Sequence, residues 1–114
     1  MISRAHCAVT LRYLKNRIMP DTPENQLAAC RVHIDDVDRR LVALLNERTT
    51  IVEKIGQIKK SAQMAVYEPK REDAVYANIA GANGGPLPEE ALKRIFERII
   101  DEMRKVQRDR MVLK

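Results

Sequence analysis

Apolar residues recur at intervals of three and four along the first half of the chain: Leu27, Cys30, Ile34, Val37, Leu41, Leu44, Ile51, Ile55, Ile58 and Ala62, with Arg48 occupying one place in the series. That period is the one an α-helix presents on a single face. Thr22-Pro23-Glu24 supplies the start: threonine is a good cap, proline suits the first helical position and an acid favours the first turn. No proline interrupts residues 24–68, and Gly56 costs about 1 kcal/mol relative to alanine without ending a helix. The pattern predicts one long helix over residues 23–62.

Glu68-Pro69 reads as a second start, followed by Lys70-Arg71-Glu72-Asp73 and apolar Ala74, Val75 and Ile79. Gly81 and the cluster Asn83-Gly84-Gly85-Pro86 are expected to end this short helix. Pro88-Glu89-Glu90 then opens a third, with Leu92, Ile95, Phe96, Ile99, Ile100, Met103, Val106 and Gln107 along one face. Nothing alternates with the period of a strand, and no repeat or low-complexity segment is present. The fold class expected is all-α, with one very long, one short and one medium helix.

A chain of 114 residues fits one domain. A helix of some forty residues makes a rod of roughly 60 Å, whereas a compact domain of this size has a radius of gyration near ~13 Å. Two shorter helices of the same chain cannot cover such a seam. A second copy is expected to do so, and a two-fold dimer is the commonest closed solution.

Lysine and arginine number 21 and acids 16, a formal net charge of +5, with 32% of residues charged. The excess sits in residues 1–20, which hold Arg4, Arg12, Lys15 and Arg17 and no acid. A basic arm of this kind can serve nucleic acid, anionic lipid or targeting; the simplest expectation is a poorly ordered extension ahead of a folded domain over residues 21–114. No apolar run approaches the ~20 residues that cross a bilayer. Two cysteines, Cys7 and Cys30, are too few for a disulfide framework, so a soluble chain in the reducing cytoplasm is expected.

Three residues stand where a core avoids polarity. Arg48 lies on the apolar seam, where an unpaired guanidinium is expensive to bury; it needs an anion, either a carboxylate of the protein or a ligand. Lys59, 11 residues on, projects from nearly the same side roughly 16 Å further along. Two cations then face a common space that suits a small dicarboxylate. Gln107 follows Met103 by four on the apolar side of the last helix, where an amide must find partners in the core or tilt to the rim. Arg31 lies roughly 25 Å before Arg48 on the same rod. If both bind one ligand, Arg31 must come from the other, antiparallel chain. Arg71 and Glu72 add a cation and a carboxylate at a helix N-terminus. No nucleophile stands beside a base, no metal-ligand spacing occurs, and no glycine-rich phosphate loop is present. What remains can hold and polarise a small dianion by electrostatics alone.

The sequence resembles the all-α chorismate mutases of the AroQ class. The matching stretches are Arg31 with Ile34-Asp35 and Asp38, Leu41-Val42-Ala43-Leu44-Leu45-Asn46-Glu47-Arg48, Ile55-Gly56-Gln57-Ile58-Lys59, Val66-Tyr67-Glu68-Pro69-Lys70-Arg71-Glu72, and Ile95-Phe96 through Gln107. Together they span about residues 27–107. The resemblance implies an intertwined homodimer that rearranges chorismate to prephenate in phenylalanine and tyrosine biosynthesis, without cofactor or metal. It also implies roles. Arg48 and the other subunit's Arg31 clamp the two substrate carboxylates, with Arg71 reinforcing them; Lys59 and Gln107 donate to the enolpyruvyl ether oxygen; Glu72 accepts from the ring hydroxyl, with Glu68 as a helper. The family pattern in some members has a serine where this chain has Met103, so a contact to a carboxylate is lost or replaced. The arm before residue 21 has no counterpart in the minimal pattern. With no attached dehydratase, dehydrogenase or synthase domain in view, a stand-alone mutase or a subunit of a larger complex is expected.

Competing readings make different predictions. An isochorismate–pyruvate lyase of the same fold usually has an apolar residue where Glu72 stands. A dimeric helical protein binding nucleic acid through its arm would lose affinity steeply with salt and tolerate Arg48→Ala. A silent interaction partner would have no need of Arg31, Arg48, Lys59, Glu72 and Gln107 together.

Overall fold

A computed structural model describes residues 22–112, with side chains to Arg110; the basic arm over residues 1–20 lies outside the described residues. Among the described residues there are three helices: α1 Pro23–Ser61, α2 Pro69–Ala82 and α3 Glu89–Val112. No strand occurs among the described residues. The all-α expectation holds, and each start falls within one residue of its signal.

The capping logic is visible at both ends of α1. The Asn25 amide donates to the Thr22 side-chain hydroxyl at 3.1 Å, as an N-cap threonine requires. At the other end the helix stops at Ser61, one residue before the expected limit, because Gln63 adopts a left-handed backbone with φ 56°. The Gln63 amide donates to Lys60 O at 3.2 Å and the Met64 amide to Lys59 O at 2.7 Å. This pair of bonds is a Schellman turn built without the usual glycine. Gly81, expected to help terminate the second helix, lies inside α2; Asn83 closes it instead. Its side chain accepts from the Gly85 amide at 3.0 Å and donates to Leu87 O at 2.9 Å, holding the turn into α3.

The chain divides into two units, Met1–Asn46 and Glu47–Lys114. In the first, Leu27, Val32, Ile34, Leu41, Val42, Leu44 and Leu45 are all exposed. In the second, Val52, Ile100 and Met103 form a small core together with buried Gly56 and Lys59. The stripe of α1 that turns toward α3 is therefore Thr49, Val52, Gly56 and Lys59, one residue out of step with Ile51, Ile55 and Ile58, which are exposed. A one-residue step is a rotation of about 100° on a helix. Gly56 marks the close approach: a Cβ there would stand 3.5 Å from Gln107 Cγ, in ordinary contact. Ile95, assigned to the apolar face of α3, is also exposed, whereas Leu92, Phe96, Ile99 and Val106 are half-buried.

Candidate active site

Within the second unit, the end of α1, the loop after it, the first turn of α2 and the middle of α3 enclose a cavity of about 430 Å³. Arg48, Lys59, Glu68, Arg71, Glu72, Met103, Arg104 and Gln107 line it, with Ile51, Val52, Ile55, Val66, Val75 and Ile100 supplying apolar wall.

Lys59 is the most deeply placed charge, 6% exposed. Two features of the local fold make that tolerable. It stands in the last turn of α1, where the helix dipole favours a cation, and the Schellman turn folds the following loop back over it. Its Nζ donates to Val66 O at 2.8 Å and to Gln107 Oε1 at 3.4 Å, and pairs with Glu68 Oε1 at 2.7 Å. An ammonium has three protons. All three are directed, the one toward Gln107 most loosely.

Glu72, an acid in the first turn of α2, is held by Arg104 of α3 in a two-pronged pair: Nε to Oε2 at 2.7 Å and a terminal nitrogen to Oε1 at 2.6 Å. Arg104 also meets Asp101 at 3.2 Å and lies over the Tyr67 ring, 5.2 Å from its centre. Hydrogen bonding to Glu72 raises the Arg104 guanidinium above its ordinary range.

Arg48 and Arg71 are different. Among the described residues neither forms an ion pair with a carboxylate. Burial, and then the charge of Arg71, both push Arg48 below the usual arginine range. Four cations and two carboxylates line the cavity, and each carboxylate already has a cation of its own. The surplus is two positive charges, borne by two guanidiniums that repel each other.

The family model for chorismate mutase type II matches residues 30–108. The chain belongs to that family. It is 39% identical over 90 residues to the bifunctional chorismate mutase/prephenate dehydratase of Neisseria gonorrhoeae, a match covering 79% of this chain and 24% of that one. It is 30% identical over 54 residues to the chorismate mutase of Methanocaldococcus jannaschii, covering 47% and 54% of the two chains. Among solved structures, the chorismate mutase (form II) of Thermus thermophilus superposes with a TM-score of 0.71 at 30% identity, covering 73% of this chain and 94% of that one. The chain spans about a quarter of the length of the bifunctional relative.

Against this family background, the structure brings together six of the seven site residues expected from sequence: Arg48, Lys59, Glu68, Arg71, Glu72 and Gln107 all line the one cavity. Arg31 belongs to the first unit and is exposed; it is not among the lining residues. The expectation missed Arg104, hidden in the basic run around Arg104-Lys105, where nothing in the spacing sets it apart from a solvated charge. Met103, noted as a departure, is buried in the cavity wall, and the Thr49 hydroxyl lies 3.5 Å from its sulfur. Among the described residues, no group of His, Cys, Asp and Glu is placed to hold a metal ion, and no helix is long and apolar enough to cross a membrane.

Proposed function

We propose that this protein is a chorismate mutase, carrying out the intramolecular Claisen rearrangement of chorismate to prephenate in the cytoplasmic synthesis of phenylalanine and tyrosine. The observation that supports this most directly is the charge of the cavity. Both carboxylates are neutralised from within, and Arg48 and Arg71 are left with a surplus of two, the charge of a dicarboxylate. At about 430 Å³ the cavity is in the range of small-molecule sites.

In this reading Arg48 grips one carboxylate, Arg71 reinforces that side, and Arg31 of a second copy closes on the other. Binding in the compact geometry removes orientational freedom before the barrier. As the C–O bond of the enolpyruvyl ether breaks and the new C–C bond forms, negative charge grows on the ether oxygen. Lys59 and Gln107 donate to that oxygen, and donors aimed at developing charge act most strongly where water is excluded. The 3.4 Å contact between Lys59 and Gln107 is the one an entering oxygen replaces at least cost. Glu72 accepts from the ring hydroxyl, while Glu68 helps by keeping Lys59 aimed. No proton is transferred to or from the protein, and no metal or cofactor is required.

A homodimer follows from the same reading. The exposed apolar side chains of residues 27–45 need a cover, and Arg31 on that stretch needs a route to a site. The test is to follow chorismate loss by ultraviolet absorbance, converting the product to phenylpyruvate with acid, for wild type and Arg48→Ala side by side. Prephenate from the wild type and almost none from the variant is expected. No turnover by either overturns the reading, and isochorismate is then the substrate to try.

A further inference from the structure

We propose that Arg104 is the positioning residue for Glu72: it holds that carboxylate in one orientation, so that Glu72 can accept a hydrogen bond from the ring hydroxyl of an anionic substrate. The inference rests on the mutase reading above and extends it to a residue outside the expected site.

A lone carboxylate in this cavity has a problem. It must sit beside a dianion, whose charge repels it and favours its swinging away. Arg104 answers that difficulty. Its planar fork engages both Glu72 oxygens, at 2.7 and 2.6 Å, which fixes the carboxylate plane. The fork uses two of the roughly four acceptor sites of a carboxylate, so Glu72 keeps capacity for a further donor. The guanidinium is itself held from two sides, by Asp101 at 3.2 Å and by the Tyr67 ring at 5.2 Å. Tyr67 adjoins Val66 and Glu68, the two loop residues that hold Lys59. One side chain of α3 thus fixes Glu72 in place. Lysine could supply the charge but only a point contact.

The test measures kcat/KM for wild type, Arg104→Ala and Arg104→Lys on two substrates: chorismate, and the analogue whose ring hydroxyl is replaced by hydrogen. On chorismate, Arg104→Ala is expected to lose about ten- to a hundredfold, the size of a charge-assisted pair, with Arg104→Lys between it and wild type. On the analogue all three should agree within about twofold, because the hydrogen bond that Glu72 makes no longer exists. Equal losses on both substrates would mean that Arg104 acts through general packing, and no loss on chorismate would mean that Glu72 needs no positioning; either overturns the inference while leaving the mutase reading intact. An inactive wild type sinks both. Far-ultraviolet circular dichroism checks that each variant is folded, and should Arg104→Ala fail to fold, Arg104→Lys on the two substrates decides the matter alone.

Discussion

The two ends of α1 carry the same apolar period and meet different fates. From Leu27 to Leu45 no large apolar side chain is buried, and all but half-buried Val37 are exposed; from Val52 to Lys59 the helix buries a valine, a glycine and a lysine. Periodicity states that a helix has a face to cover, but it is silent on what covers it. Where α3 of the same chain is at hand, the covered face is rotated by one residue and is built around a cavity. Within the first unit, among the described residues, the leucine and isoleucine side chains of the unrotated stripe stay bare. The chemistry collects at the first kind of end, because there polar groups can be shielded from water and still find partners.

The sharpest way to break this contrast is to remove the buried cation. Lys59→Ala should lower turnover by about 10³-fold, as loss of a donor at the developing charge does at an oxyanion hole. It should also reduce stability, since Glu68 and Gln107 lose their common partner; steady-state kinetics and thermal melting read the two effects. Next comes Arg48→Ala, expected to cost about 10²-fold in kcat/KM. Here stability should move the other way or stay level, because the guanidinium is partly desolvated and repelled by Arg71. A falling melting temperature for that variant would mean Arg48 has a stabilising partner in the unliganded protein.

The exposed end is probed by Leu44→Asp. If a second copy covers this face, as the proposed dimer requires, the change should cost roughly 2 kcal/mol or more and shift sedimentation to the mass of one chain. If Leu44 stays in water, the effect should stay within about ±0.5 kcal/mol with the mass unchanged, and the dimer is refuted. The smallest effect expected is a gain. Gln63→Gly relieves a left-handed residue and should raise stability by about 1 kcal/mol, visible as a few degrees in melting temperature. No gain there would show that the Gln63 side chain compensates for its backbone.

Much of this was legible because the signals were local. Thr22 and Pro23, Pro69, and Pro88 with Glu89 mark helix starts through capping chemistry that acts over three or four residues, and each is where the helix begins. Arg48, Lys59 and Gln107 drew notice as polar residues on apolar faces, and all three line the cavity. What could not be read depended on rotation and on neighbours distant in the chain. The stripe Val52, Gly56 and Lys59 emerges only once α3 is packed, since Gly56 offers no hydrophobicity to mark it. The end of α1 was hard to place because its left-handed residue is a glutamine. Arg104 was missed for a similar reason: its partner Glu72 is 32 residues away, and no local pattern links them.

The paired charges around the cavity also bear on how a ligand is received. Lysine and arginine side chains each carry about 2 kcal/mol of rotamer freedom, and a site made of loose ones must quench that motion at the moment of binding. Here Lys59 is tied to Val66, Glu68 and Gln107, and Arg104 to Glu72, Asp101 and Tyr67, before any ligand arrives. Their motion is surrendered when the chain folds. Among the cations that line the cavity, Arg48 and Arg71 remain to be stilled, so the entropy these four would lose on association is concentrated in the two that repel each other.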